Sequence, residues 1–321
     1  MKKSSRRVLL SLFTAISLAA FVSPVLAQPP RDRDVPPPAR PPGVHPESER
    51  EGPGHMKVTE DVTYATVDGV KLKLDIYQPR TQDRRLRRIA VHIHGGAWKG
   101  GDKEAARAFM PELIRAGYIG FAINYRLSGD AKFPAQIHDC KAAIRWIRDN
   151  AKDYSGDPSR IAVFGTSAGG HLVALLGTSG GVEELEGDIG VTGVSSDVQA
   201  VCDWFGPANL VTVHKNLPDA KNHVVELLGS PISEARGLAA LASPITHVDS
   251  SDPPFLIIHG AEDPTVPVEQ SREFYEALKD AGVTAKYIEV PDGKHGGFHD
   301  TDPNQHELIG EMVEFFDKHL K

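Results

Sequence analysis

Cysteine is nearly absent. Cys140 and Cys202 are the only two in 321 residues, so at most one disulfide is available to the fold. A bridge is chemically permitted in an exported protein, and two buried thiols are the alternative; the residues leave both readings open. Neither cysteine is expected to be catalytic. An excess of positive charge is also missing. With 36 Lys and Arg against 43 Asp and Glu, the formal net charge is −7, which argues against a nucleic-acid partner. Internal repeats and a second domain are lacking too, which argues against a propeller-bearing architecture.

The one long apolar run lies at the N-terminus. Lys2, Lys3, Arg6 and Arg7 precede Val8–Val22, and Val25-Leu26-Ala27 supplies small residues before Gln28. This order describes a secretory signal peptide over residues 1–27, cut after Ala27. A spanning anchor needs about 20 apolar residues. No cysteine marks a lipidation site, so no stable membrane anchor is expected once the leader is removed. The mature chain is expected to be exported, periplasmic or secreted. It is also more acidic, because the leader carries away four basic side chains and no acidic one. Residues 28–55 are rich in proline and arginine with little to bury, and read as a disordered linker. Residues 56–321 suit one large α/β domain.

Within that domain, Val58–Val67 and Val70–Tyr77 flank Asp68-Gly69, a hairpin signal, and Leu72, Leu74 and Ile76 alternate with Lys71, Lys73 and Asp75 as on a half-solvated edge. The basic run Arg84–Arg88 reads as solvated charge flanking the buried strand Ile89–Ile93. Helices are expected at 105–116, 134–150, 271–281 and 307–321, and strands at 118–125, 198–204, 255–259 and 285–290. This alternation implies a mostly parallel central sheet flanked by helices. Gly177–Ser196 is a long polar loop that either shapes the site or is mobile, and residues 208–250 are where a small cap or substrate-binding insertion is expected.

Ile161–Phe164 runs into Gly165-Thr-Ser-Ala-Gly169 and then a helical stretch. This is G-x-S-x-G in its required setting, a nucleophile elbow that exposes the hydroxyl of Ser167 on a strained strand-to-helix turn. The strand Ile89–Ile93 empties into His94-Gly-Gly-Ala-Trp-Lys-Gly-Gly-Asp102. Bare backbone N–H groups in such a loop can stabilise an oxyanion. Beyond two later strands lie Asp263, in Gly260-Ala-Glu-Asp-Pro264, and His295, in Gly293-Lys-His-Gly-Gly-Phe298. In a parallel sheet these strand ends share one edge, and serine, acid, histidine is the chain order of this hydrolase fold. Ser167 is then the nucleophile, His295 the general base and Asp263 its orienting partner. His299 and His94 compete for the base; glycines after His295 favour it. Glu262 competes with Asp263, which sits in the better turn-forming Asp-Pro pair. A metal site at His295, His299 and Asp300 is a weak alternative, and His171 on the elbow helix reads as a packed or capping side chain.

His94-Gly-Gly-Ala-Trp98, Asn124-Tyr-Arg-Leu127, Gly165-Thr-Ser-Ala-Gly-Gly170, His259-Gly-Ala-Glu-Asp-Pro264 and Gly293–Phe298 together resemble the esterase/lipase branch of the α/β-hydrolases, over about Val58 to Lys321. Within it the chain is similar to the bifunctional feruloyl/acetyl-xylan esterase type, related to hormone-sensitive-lipase-like carboxylesterases and kynurenine formamidases. The resemblance implies an α/β-hydrolase fold, Ser167, Asp263 and His295 as the triad, and an oxyanion hole from the N–H groups of Gly96, Ala97 and Ala168, with Gly95 and Trp98 at the substrate. It implies no cofactor and no metal. Ala97-Trp98 replaces the third glycine of lipase-like members, which points away from long-chain lipids, and Thr166 stands where the hormone-sensitive-lipase group has an acid. The expected activity is hydrolysis of short-acyl or aromatic carboxylic esters, on small molecules or on acylated plant polysaccharide. An amidase of the formamidase type is the alternative enzyme; a noncatalytic binding protein of the same fold is the alternative class.

Overall fold

The computed structural model describes residues 48–51, 55–81, 85–213 and 218–321. The leader expected at 1–27 and most of the stretch expected to be a linker lie outside them. Among the described residues, the strands are β1 (Ser48–Glu51), β2 (Met56–Val67), β3 (Val70–Pro79), β4 (Arg87–Ile93), β5 (Ile119–Ile123), β6 (Gly156–Thr166), β7 (Ala200–Trp204), β8 (Phe255–Gly260) and β9 (Ala285–Val290). The helices are α1 (Met110–Arg115), α2 (Ala135–Asn150), α3 (Ala168–Thr178), α4 (Glu183–Glu186), α5 (Pro218–Leu228), α6 (Arg236–Leu241), α7 (Glu269–Asp280) and α8 (Gln305–His319). The sheet order is β1-β2-β3-β5-β4-β6-β7-β8-β9. Pairing is antiparallel from β1 through the β3–β5 contact and parallel from β5 to β9.

The central strands are apolar in both directions because both faces are covered. Ile161 and Val163 of β6, Val201 of β7 and Ile257 of β8 point to one core with Ile137, Ile144, Leu172 and Phe274. Ala162, Phe164, Cys202, Leu256 and Ile258 point to the other, with Leu113, Leu308, Met312 and Phe316. A period of two thus feeds two helix layers from one set of strands. Helix α3, buried along its whole length, is apolar all round because it sits inside one layer. Cys140 and Cys202 are free and buried, on α2 and β7. Among the described residues no helix is long and apolar enough to cross a membrane.

Four local expectations are corrected. Strand β3 is not an edge: β2 and β5 flank it, and Asp75, read as solvated, is 1% exposed against Lys103 Nζ at 2.9 Å. Alternation located the apolar face but could not reveal that β1, drawn from the expected linker, adds a strand outside β2. The helix expected at 105–116 is two pieces, a 3-10 turn over Lys103–Ala108 and then α1, which restarts with Pro111 in its first turn. The Gly177–Ser196 stretch neither shapes the site nor hangs loose. It begins at the far end of α3, about 16 Å of helix from the elbow, and side chains of α2 pin its carbonyls. Arg145 donates to Val191 O at 2.6 Å and Ile189 O at 2.9 Å, and Lys141 to Ser179 O at 2.8 Å. Of the basic run, Arg88 is not merely solvated: it pairs with Asp317 at 2.7 Å and lies over the Tyr118 ring.

Candidate active site

Strand β6 reaches the sheet edge at Thr166, and α3 starts at Ala168. Ser167 between them carries φ 56° and ψ −119°, a conformation few non-glycine residues adopt, while its N–H still bonds Trp204 O at 2.8 Å. The glycines of the motif are steric necessities. A Cβ on Gly165 would sit 2.4 Å from Gly169 O, and one on Gly169 2.0 Å from Ile93 O. The elbow therefore exists because strand, turn and helix can touch backbone to backbone.

The loop after β4 lies directly on this turn. A Cβ at Gly95 would come within 2.6 Å of Thr166 O, so the contact found for Gly95 is with the elbow rather than with the space above it. Gly96, Ala97 and Trp98 all have positive φ, at 114°, 55° and 56°. The loop is braced from β5's exit: Tyr125 Oη donates to His94 O at 3.1 Å, Ser128 N–H to Trp98 O at 2.7 Å, and Lys103 N–H to Asn124 Oδ1 at 2.7 Å. Among the described residues the N–H groups of Gly96, Ala97 and Ala168 donate to no protein acceptor. Unspent donors beside a serine hydroxyl suit an incoming oxyanion.

Trp98 is 4% exposed and walls a pocket over Ser167. Its indole N–H donates to His171 Nδ1 at 3.1 Å, and His171 Nε2 meets Ala242 O at 2.6 Å. His171 is thus neutral with its proton on Nε2, and burial pushes its pKa down to about 4. As expected it is a packed side chain, and it ties the pocket wall to the segment after α6. The pocket opens to solvent and, with that open space counted, spans about 380 Å³. Its walls are mainly apolar, Trp98, Pro207, Val213, Val224 and Val266, with His223 of α5 and Thr265 as the polar residues beside Ser167. Val213, His223 and Val224 come from the stretch 208–250, so the insertion expected there does cover the site.

On the other side stand the acid and the imidazole. Asp263 follows β8; its Oδ1 accepts the N–H groups of Thr265 at 2.7 Å and Val266 at 2.9 Å. Its Oδ2 meets His295 Nδ1 at 2.7 Å and His259 Nε2 at 3.2 Å. Burial works to raise this carboxyl's pKa, but the histidine and backbone hydrogen bonds prevail and hold it well below the usual carboxylate range. With Nδ1 donating to a carboxylate, His295 Nε2 is the acceptor for Ser167 Oγ, 2.9 Å away. The competitors are elsewhere: His299 and Glu262 are exposed, and His94 is buried, stacked on Tyr125. Both His295 nitrogens are engaged within the triad, which leaves the alternative metal reading without its first ligand.

Two side chains escaped the sequence reading. Phe205, at φ 47°, sets its ring edge-on to His295 at 4.9 Å, and Asp203 Oδ1 accepts Gly206 N–H at 2.8 Å to hold that turn. Burial pushes the Asp203 carboxyl up to about 6. His259 is the other; it stands in a motif already singled out, but nothing local says that its ring turns toward Asp263.

The family model BD-FAE matches residues 74–278. The esterase LipQ of Mycobacterium tuberculosis is 37% identical over 243 residues, 74% of this chain and 56% of its own length. A truncated carbohydrate esterase from gut microbiota is 34% identical at TM-score 0.75, covering 85% of this chain and 99% of that one. The bifunctional GH43-CE protein of Bacteroides eggerthii is 38% identical at TM-score 0.74, covering 82% of this chain and 38% of its own. The chain spans about half the length of the curated relatives it matches, 56%, 56% and 48% for the first three.

Proposed function

The chain belongs to the BD-FAE family, and from that premise we propose that it is an exported serine carboxylic-ester hydrolase acting through an acyl-enzyme. The observation that carries the reading is the hydrogen-bonded line from Ser167 Oγ through His295 to Asp263, 2.9 and 2.7 Å. His295 Nε2 takes the serine proton as Ser167 Oγ attacks the ester carbonyl, then returns it to the departing alcohol. The oxyanion turns to the N–H groups of Gly96, Ala97 and Ala168, each such donor being worth about 3–4 kcal/mol. Water, activated by the same imidazole, then frees the acid.

The mainly apolar pocket supports short-acyl or aromatic esters, and Ala97-Trp98 in place of a third glycine supports the exclusion of long lipids. Acetyl or feruloyl groups on plant polysaccharide are the natural substrates in this reading. Its supports are the motif resemblance, the two carbohydrate-esterase neighbours and the leader over 1–27. The mature protein works in the periplasm or outside the cell, and its acidic charge leaves nucleic acid out of its partners.

The test is hydrolysis of p-nitrophenyl esters from acetate to decanoate by the mature protein and by Ser167→Ala. Turnover should be greatest at acetate to butyrate and fall by about 10⁴- to 10⁶-fold in the variant. Release of acetate or ferulate from acylated xylan then checks the natural ester. Inertness on every ester with turnover of N-formylkynurenine would replace this reading by an amidase.

A further inference from the structure

Asp263 Oδ2 receives two imidazoles where base catalysis needs one. His295 approaches from the exit loop of β9 and His259 from β8, at 2.7 and 3.2 Å. His259 is fully buried, and each of its nitrogens has a defined environment. Nε2 faces two acceptors, Asp263 Oδ2 and Val266 O at 3.0 Å, so in the neutral ring it carries the proton. Nδ1 lies 2.7 Å from Ser271 Oγ on α7, which then donates to it. Asp203 and Glu289 are the other charged groups around this ring, and Phe205 lies edge-on to it at 6.4 Å.

We infer that His259 is a positioning residue, whose Nε2–H holds the Asp263 carboxylate in the plane His295 requires and draws off part of its basicity. The inference rests on the serine-hydrolase reading above. The backbone N–H groups of Thr265 and Val266 anchor Oδ1 alone. Without His259, Oδ2 answers only to His295. The carboxylate is then more basic and binds the His295 Nδ1–H more strongly, which favours the imidazolium and leaves less of the ring with Nε2 free to take the serine proton near neutrality. Ser271 acts one step further out, by fixing the tautomer of His259.

The experiment compares wild type, His259→Leu, His259→Gln and Ser271→Ala on p-nitrophenyl acetate across pH, each with its thermal midpoint. Ser167-dependent turnover by the wild type comes first; if it is absent, the serine-hydrolase reading fails rather than this one. His259→Leu should lower kcat about 10- to 100-fold at little changed KM, as expected of a misplaced catalytic group, and move the acid limb of kcat/KM to higher pH. His259→Gln, whose amide can donate from nearly the same place, should restore most of the rate. Ser271→Ala should shift the limb in the same direction by less. Nitrogen-15 histidine spectra of the wild type should show His259 protonated at Nε2, a readout that survives if His259→Leu does not fold. An unmoved acid limb in folded His259→Leu or in Ser271→Ala, a glutamine variant no better than leucine at equal stability, or an Nδ1–H tautomer would each overturn the inference.

Discussion

On the β6 side of the site strained backbone poses the reacting groups; on the β8–β9 side hydrogen bonds to side chains aim them. Ser167, Ala97 and Trp98 hold positive φ because Gly95, Gly165 and Gly169 let three chain segments meet at distances no Cβ tolerates. The turns that carry Asp263 and His295 also touch backbone to backbone, a Cβ on Gly260 falling 2.3 Å from Gly293 O, but Asp263 and His295 keep ordinary φ and their side chains are aimed by hydrogen bonds, the Ser167–His295 pair being 128 residues apart. The first side is a steric lock; the second adds an electrostatic one to its close glycine contact. Damage to the first should therefore cost folding and rate together, and damage to the second should cost rate while the fold stands.

The sharpest separation comes from the second side. His295→Ala should remove about 10⁴- to 10⁶-fold of esterase kcat, and Asp263→Asn about 10⁴-fold. In both, the thermal midpoint should move less than in any variant that crowds the elbow. A large loss of stability with either would break the distinction. Gly169→Ala tests the other side. Its new methyl would lie 2.0 Å from Ile93 O and 2.7 Å from His94 O. Denaturant titration should show a loss of about 3 kcal/mol, the upper range of overpacking, with activity falling in parallel. A stable but inactive Gly169→Ala would show that the elbow is less rigidly made than the contacts imply.

The smallest effect on rate is expected from His92→Phe, in β4 just before the glycine-rich loop. His92 is fully buried between Phe109 and Phe164, and among the described residues its ring nitrogens have no partner. Burial foremost, with the His94 charge adding to it, pushes its pKa down to about 3. The unfolded chain therefore takes a proton below about pH 6.5 that the folded chain refuses, so stability falls as pH drops through that window. Phenylalanine takes up no proton in either state. Thermal melts at pH 7 and 4.5 should show His92→Phe gaining on wild type by on the order of 2 kcal/mol on acidification, with kcat unchanged at pH 7. An equal pH response in both proteins would refute it.

The contrast between the two sides also explains what could be read in advance. A steric lock restricts residue type at fixed spacing, so Gly165, Ser167 and Gly169 announce themselves within five positions, and the glycines from Gly95 to Gly101 do the same for the facing loop. Apolar periodicity located the parallel strands and most helices within a few residues of their bounds. Electrostatic partners carry no such local mark. His259 in β8 and Phe205 after β7 are unremarkable where they stand in the chain, and Asp75 looked solvated until Lys103 reached it. Gly177–Ser196 looked free for the same reason, since its anchors Lys141 and Arg145 belong to helix α2, on the far side of β6 and α3 in the chain.

By itself, then, the sequence determined the mostly parallel sheet, the elbow, the bare N–H groups beside it and the order serine, acid, histidine. Each of these follows from steric exclusion or from burial on a regular period, which act between near neighbours. Only the tertiary structure decided which oxygen of Asp263 faces which imidazole, that His171 ties Trp98 to the segment after α6, and that residues of the 208–250 insertion roof the serine. Those are hydrogen bonds and contacts between segments distant in the chain. Their direction is set by how the helix layers close on the sheet, and no local pattern of residues encodes it.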